Sequence, residues 1–232
     1  MLYIHLGAGA GDQDSKANFR CGFTEFTKKK IKNDDKFFAV EANKINIKKL
    51  KKSWKNYPNT KVFNLGITTS DFDKKIKKFY YTDDDKPHYQ VCSMDIDHVK
   101  KHYPKSLIKR FSVKAMSVNQ FFDKYVKKKC IDFLSIDLEG IDYEVMMSIN
   151  LKKYKIKNLS IEHLHLSKIQ KIKMINYLNN NGYSYCGFGY DHNNFDYLFR
   201  RKNLMFNRIL SRLLFIISNK HLGIFNKLLL KK

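Results

Sequence analysis

The sequence predicts an α/β fold, a mostly parallel seven-stranded sheet flanked by helices and closed by an antiparallel last hairpin. Three observations predict it. Short apolar runs alternate with longer stretches of helical periodicity, the pattern of β-α-β units. The first run, Leu2–Leu6, leads directly into LGAGAGD, where Gly7, Gly9 and Gly11 provide backbone that can bend sharply and let a ligand come close. The last two runs, Tyr183–Phe188 and Phe195–Arg201, are separated only by GYDHNN, too short for a crossover helix and therefore antiparallel.

The elements follow in order. Leu2–Leu6 is the first strand, and the segment after Ser15, with Phe19, Phe23, Phe26 and Ile31, is an amphipathic helix. KFFAVE at Lys36–Glu41 is strand two, followed by a lysine-rich helix over Asn43–Asn56, and KVFNLGI at Lys61–Ile67 is strand three. Between about residues 71 and 117 the rhythm breaks into a variable insert: KKFYY as an edge strand, DDDKP as a turn, and SMDIDHVKKHYP as a short helix ended by Pro104. The alternation returns with a helix over Asn119–Val126 and a buried strand at Ile131–Asp137. A helix over Gly140–Ile149, a strand at Asn158–Leu164 and a helix over Ser167–Asn181 come next, the last opened by a serine cap and closed near Gly182. Residues 1–202 thus form one domain without internal repeat or linker, and residues 203–232 form a basic, apolar helical tail with no acid in it.

Composition narrows the partners. The chain has 232 residues, enough for one substantial core, and ordinary apolar content with sparse Pro and Gly excludes a disordered chain. Its formal charge of +23 favours anionic partners, although the abundance of Lys together with Asn and Ile also fits a compositional bias. Cys21, Cys92, Cys130 and Cys186 lie far apart, without CxxC or zinc-type spacing, which is the expectation for reduced thiols in the cytoplasm. The first apolar run is too short for a signal peptide, and no apolar run reaches the length of a membrane span.

Three nucleotide-binding patterns compete for LGAGAGD. A P-loop needs Gly-Lys-Ser/Thr after the glycines, which is missing. A dinucleotide fingerprint needs a third glycine at position 12, where Asp12 stands, and an acid there opposes a pyrophosphate. G-x-G-x-G followed by an acid suits S-adenosyl-L-methionine, whose amino-acid end bears an ammonium and whose sulfur is cationic. Glu41 ends strand two, where a carboxylate can accept hydrogen bonds from both ribose hydroxyls.

LGAGAGD, VEAN at 40–43, IDFLSIDLEGIDYEVM at 131–146 and LSIEHLHL at 159–166 together resemble the FkbM-type methyltransferases. That family shows (K/S)-I-D-x-E-G-x-(E/D)-x-x-V at the end of one strand, E-(H) at the end of the next, and N-x-L-F-x-R in the last. FDYLFRRK at 195–202 fills the final position, with Asp196 where the family shows Asn. The resemblance implies a Rossmann-like class I methyltransferase fold, S-adenosyl-L-methionine as cofactor, and methyl transfer to a hydroxyl of a sugar, glycan or other small metabolite.

Open α/β sheets bind ligands at the carboxyl ends of their strands. The expected cofactor site therefore comprises Gly7, Ala8, Gly9, Gly11, Asp12, Glu41, Ala42, Asn64, Leu65, Gly66 and Asp137, with Asn64 or Leu65 beside the adenine and Asp12 at the methionine end. Methyl transfer to oxygen needs a group to take the acceptor's proton, and Asp137, Glu139 and His163 are the candidates. Strand alternation places His163 and His165 on one side and Glu162 and Leu164 on the other. The D-x-E and H-x-H sets are also a donor set for a divalent ion, but the resemblance requires none and no metal is assigned. Tyr80, Tyr81, His88 and Tyr89 are placed over the acceptor, and GYDHNN near the pocket.

The tail carries Arg208, Arg212, Lys220 and Lys227 among Phe and Leu, the composition of a helix that lies on an anionic membrane surface or packs on the domain. The expected location is thus cytoplasmic, with peripheral membrane attachment as the alternative should the tail lie on a lipid surface rather than pack on the domain or in a dimer interface. A nucleic-acid methyltransferase would explain the charge, but the N/D-P-P-Y/W motif is missing after strand four, so nucleic acid is not the expected partner. A membrane-associated binding protein that keeps the fold without the chemistry is the remaining alternative.

Overall fold

The computed structural model describes residues 1–13, 21–70, 75–190, 194–201 and 216–217. A seven-stranded sheet has the order β3-β2-β1-β7-β8-β10-β9. Its strands are β1 (Leu2–Leu6), β2 (Lys36–Glu41), β3 (Thr60–Asn64), β7 (Cys130–Ile136), β8 (Lys155–Glu162), β9 (Tyr183–Phe188) and β10 (Asp196–Arg201). All pairings are parallel except those of β10, which runs antiparallel to both β8 and β9. Strand order reverses beside β1: β2 lies on one side of it and β7 on the other, so the ligand crevice of such a sheet opens at the carboxyl ends of these strands.

Period-two alternation sorts the strand side chains onto two cores. Ile4 and Leu6 of β1 and Phe38 and Val40 of β2 enter the larger core with Phe121, Leu134 and Leu159. Tyr3, Phe37 and Ala39 face the other side with Phe23, Leu50 and Trp54, where the Phe37 and Trp54 rings stack at 3.9 Å. The helices are α1 (Gly22–Lys30), α2 (Lys44–Ser53), α3 (Ile96–His102), α4 (Val118–Tyr125), α5 (Asp142–Ser148) and α6 (Lys168–Asn180). Asn43 caps α2 by accepting from Ile45 N, and capping boxes at Ser117/Gln120 and Ser167/Gln170 open α4 and α6.

Two features differ from expectation. KVFNLGI is not one strand: the chain leaves the main sheet after Asn64, and β4 (Gly66–Thr68) joins a second sheet of order β4-β6-β5. Gly66 permits this, because a Cβ there would come 2.8 Å from the Phe79 ring of β5 (Ile76–Thr82). The middle strand of that sheet, β6 (Ile108–Ser117), is an element that the sequence reading lacked; it runs antiparallel to β5 over seven residue pairs and carries Val113 and Ala115 inward. The insert is thus a three-stranded sheet with α3 packed on it.

The helix expected from Ser15 begins instead at Gly22, and residues 14–20 lie outside the described residues. The expected tail also lies outside them, except Ile216 and Ile217, which are helical and half exposed. Among the described residues no helix is long and apolar enough to cross a membrane.

Candidate active site

The glycine turn is fixed to both neighbouring strands. Gly7 N and Ala8 N both donate to Val40 O, at 2.9 and 3.0 Å, while Asp137 N donates to Leu6 O at 3.0 Å. Gly7 has φ +83, and a Cβ there would lie 1.5 Å from Asp137 O. Gly9, also left-handed at φ +52, has nothing within 4 Å of its would-be Cβ. Glu41 closes the turn: Gly9 N donates to its Oε2 and Asn43 N to its Oε1, each at 2.6 Å. Burial raises the Glu41 carboxyl to about 7 against the lowering pull of these amides.

These groups open onto a cleft with about 1000 Å³ of free space including its mouth. Gly7, Ala8, Gly9, Gly11, Glu41, Ala42, Leu65, Asp137 and Glu139 all line it, so most of the expected residues meet along one rim. Tyr89, Gln90 and Cys92 of the insert form the facing wall; Asn46 Nδ2 holds this segment by donating to His88 O and Tyr89 O, both at 3.3 Å. Among the described residues that line the cleft there is no lysine or arginine, although the chain as a whole is strongly basic.

Other expected residues do not line the cleft. Asp12 turns away to Lys28, whose Nζ is 2.5 Å from Asp12 Oδ2, and this ion pair holds its carboxyl below the usual range. Asn64 serves the backbone: its Nδ2 donates to Glu41 O at 3.0 Å and Ala42 O at 2.9 Å, tying β3 to the end of β2. Gly66 packs on Phe79. Of the four insert residues placed over the acceptor, Tyr89 alone reaches the cleft. Tyr190 of GYDHNN does not line the cleft and stacks on Phe26 at 3.9 Å in the smaller core, while residues 191–193 of that segment lie outside the described residues.

His163 corrects the alternation argument. The strand ends at Glu162, so period two no longer holds beyond it, and His163 N donates to Phe195 O at 2.7 Å. Its ring stacks on Tyr197 at 3.6 Å, with Nε2 at 3.0 Å from Asn194 O, whereas His165 turns toward α3. His163 does not line the cleft, and burial lowers it to about 4. Its geometry is that of a packed core imidazole.

The loop after β7 is shaped by a residue absent from the expected set. Asp142, buried at the start of α5, accepts from Leu138 N at 2.6 Å and from Gly140 N at 3.3 Å. These bonds stabilise the left-handed Glu139 (φ 51) and Gly140 (φ 101), which direct Glu139 toward His98, 3.2 Å away between Nε2 and Oε2. Ligand oxygens of Asp137, Asp142 and Glu162 lie within 4.8 Å of one another. Burial first, then the neighbouring negative charges, raises Asp142 to about 7 and Glu162 well above the carboxylate range. The carboxyl group at the eighth position of SIDLEGID was visible in the motif, but its bonds to the loop amides had no signal of their own.

His5 also borders the cleft, 2 % exposed, and burial lowers it to about 3. The unfolded chain protonates this imidazole near pH 6.5 and the folded chain does not, so stability is present above that pH and is lost as pH falls toward 3. Between pH 7.5 and 5 the urea unfolding free energy is expected to fall by about 2 kcal/mol from His5 alone. His5→Gln should remove that part of the pH dependence, and an unchanged slope would contradict it.

The donor set fits S-adenosyl-L-methionine. Each Glu41 oxygen holds one backbone amide and keeps a second lone pair for a ribose hydroxyl, Gly9 leaves open space, and Ala42 and Leu65 supply apolar wall for an adenine. An acid-lined cleft also matches a sulfonium and an ammonium. Among solved structures, the chain is similar to the precorrin-6y C5,15-methyltransferase from Geobacter metallireducens GS-15, at 10% identity and a TM-score of 0.40, covering 86% of this chain and 77% of that one. No curated protein matches the chain. The model of the methyltransferase FkbM domain matches residues 6–185, which span the glycine turn, the Glu41 cradle and the Asp137–Asp142 loop. The chain belongs to the FkbM methyltransferase family and is an S-adenosyl-L-methionine-dependent methyltransferase.

Proposed function

We propose that the protein is an O-methyltransferase that methylates a hydroxyl of a sugar, glycan or other small neutral metabolite. The observation that carries this reading is the shared rim, where Asp137 and Glu139 line the same cleft as the Gly9–Glu41 cradle. Glu41 receives the ribose hydroxyls, Ala42 and Leu65 flank the adenine, and the glycine turn lets the amino-acid end lie against backbone. When bound, S-adenosyl-L-methionine supplies an electrophilic methyl group on a cationic sulfur.

Asp137, which lines the cleft, takes the acceptor's proton as its oxygen attacks. The rest of the acceleration comes from holding acceptor and methyl group in line between the glycine turn and the Tyr89 wall. Among the described residues no lysine or arginine lines the cleft, a lining that does not suit a phosphate backbone and favours a neutral acceptor over nucleic acid.

Calorimetric titration with S-adenosylhomocysteine tests the cofactor assignment. Glu41→Ala removes two charge-assisted hydrogen bonds and is expected to weaken binding about 100-fold. No binding by the unaltered chain, or equal binding by the variant, would overturn the assignment. Transfer of labelled methyl to a panel of uncharged glycosides, unaffected by added salt, tests the acceptor class.

A further inference from the structure

The geometry points to a divalent transition-metal site beside the cleft, formed by His98, His102 and His165 with Glu139, which lines the cleft, as its carboxylate ligand. His98 and His102 stand one turn apart on α3, and His165 reaches them from the loop after β8. The ring centroids are 4.6 Å apart for His98–His165, 5.0 Å for His98–His102 and 5.1 Å for His102–His165. One nitrogen of each ring lies within 4.8 Å of the others. A tetrahedral ion bound at about 2.1 Å needs its nitrogens about 3.4 Å apart, so the rings close by about 1 Å, within reach of small side-chain rotations.

Glu139 Oε2 lies 3.2 Å from His98 Nε2 and 4.0 Å from His165 Nε2, already the spacing of neighbouring ligands around one ion. His98 is held in place by the loop itself, since a side chain at Gly140 would collide with its Nδ1 at 2.7 Å. An independent observation points to the same spot. Glu162, 8 % exposed, has its Oε1 3.7 Å from His165 Nε2, and its Oε2 is buried with no hydrogen-bond partner. Glu139, Glu162 and His165 also bring ligand atoms within 4.8 Å of one another. A buried acceptor without a donor is costly, and a cation beside it removes that cost.

Three imidazoles and a carboxylate select borderline ions such as zinc(II), iron(II) or cobalt(II) over magnesium and calcium, which prefer all-oxygen shells. Glu139 lines the cleft, so an acceptor hydroxyl that took a further coordination position would be acidified beside Asp137. That last role rests on the proposed function; the metal site itself does not.

Titration of the untagged, chelator-stripped full chain with cobalt(II) chloride tests the site. The expected result is visible d–d bands that saturate at about one equivalent and are bleached by zinc(II). His98→Ala/His102→Ala should weaken cobalt binding about 100-fold, and His102→Ala alone, on the exposed side of α3, about tenfold with circular dichroism unchanged. Absence of bands at millimolar cobalt, or equal bands in the folded His102→Ala chain, overturns the site. S-adenosylhomocysteine titration of the same stripped chain separates the two readings: binding without cobalt bands defeats the metal site alone, and bands without nucleoside binding defeat the cofactor assignment alone.

Discussion

Gly7→Ala is expected to yield no folded protein. The new Cβ would lie 1.5 Å from Asp137 O and 2.6 Å from Asp137 C, and both atoms are backbone that no rotamer change can move. Neither partner can retreat. Gly7 N is bonded to Val40 O, Asp137 N is bonded to Leu6 O, and β1 pairs with β7 in register up to Leu6↔Ile136. Relief would require parting the central strands of the sheet. The left-handed φ adds about 1–2 kcal/mol for a residue with a side chain, and the overlap adds more, against a total stability of about 5–15 kcal/mol for a domain.

Gly9→Ala is the matched control. It carries a similar φ penalty, but its Cβ meets nothing within 4 Å, so the chain should fold and lose affinity for S-adenosylhomocysteine instead, because Gly9 lines the cleft. Soluble Gly7→Ala protein with an unshifted urea midpoint would refute the packing argument.

What the sequence disclosed, and what it hid, divides along the range of the interactions. β1, β2, α6 and the final hairpin are legible because their signals are local: alternation, the Ser167 cap, a connection too short for a crossover. The rim is legible for the same reason, since parallel strands place their carboxyl ends together and each motif marks one end. β6 stayed hidden although Phe111, Val113 and Ala115 alternate, because Lys109 and Arg110 before them and Lys114 between them give the stretch after Pro104 the composition of an exposed loop. The switch of sheets at Leu65 depends on Gly66 meeting Phe79, a contact with no trace in the local pattern. His163 and His165 were assigned one face by a parity rule that lapses once the strand ends at Glu162. Asp12 went to the ligand because Lys28, sixteen residues away, could not be placed against it. The meeting of His98 and His102 with His165 is the longest-range case: the i, i+4 pair is visible on α3, and its partner is not.

Asp137→Asn is expected to cut turnover by about 10²–10⁴-fold while leaving the fold intact. The side chains are isosteric, and the backbone contacts of residue 137 with Leu6 and the glycine turn do not involve the carboxyl group. The substitution removes the charge and the capacity to accept a proton. Positioned proton transfer contributes about 10²–10⁴-fold, so methyl transfer to neutral glycosides should fall by about that factor, while affinity for S-adenosylhomocysteine stays within about tenfold. The carboxylates add a second readout. Ligand oxygens of Asp137, Asp142 and Glu162 crowd within 4.8 Å, and after burial the Asp137 charge is a cause of the rise at Glu162. Removing one charge relieves that repulsion, so the thermal midpoint of the variant at pH 8 should equal or exceed that of the unaltered chain. A residue that served only to hold the loop would behave in the opposite way, losing stability first and activity in proportion. Full turnover in Asp137→Asn would move the proton-accepting role to Glu139; a large drop in midpoint with activity lost in step would make Asp137 a structural group.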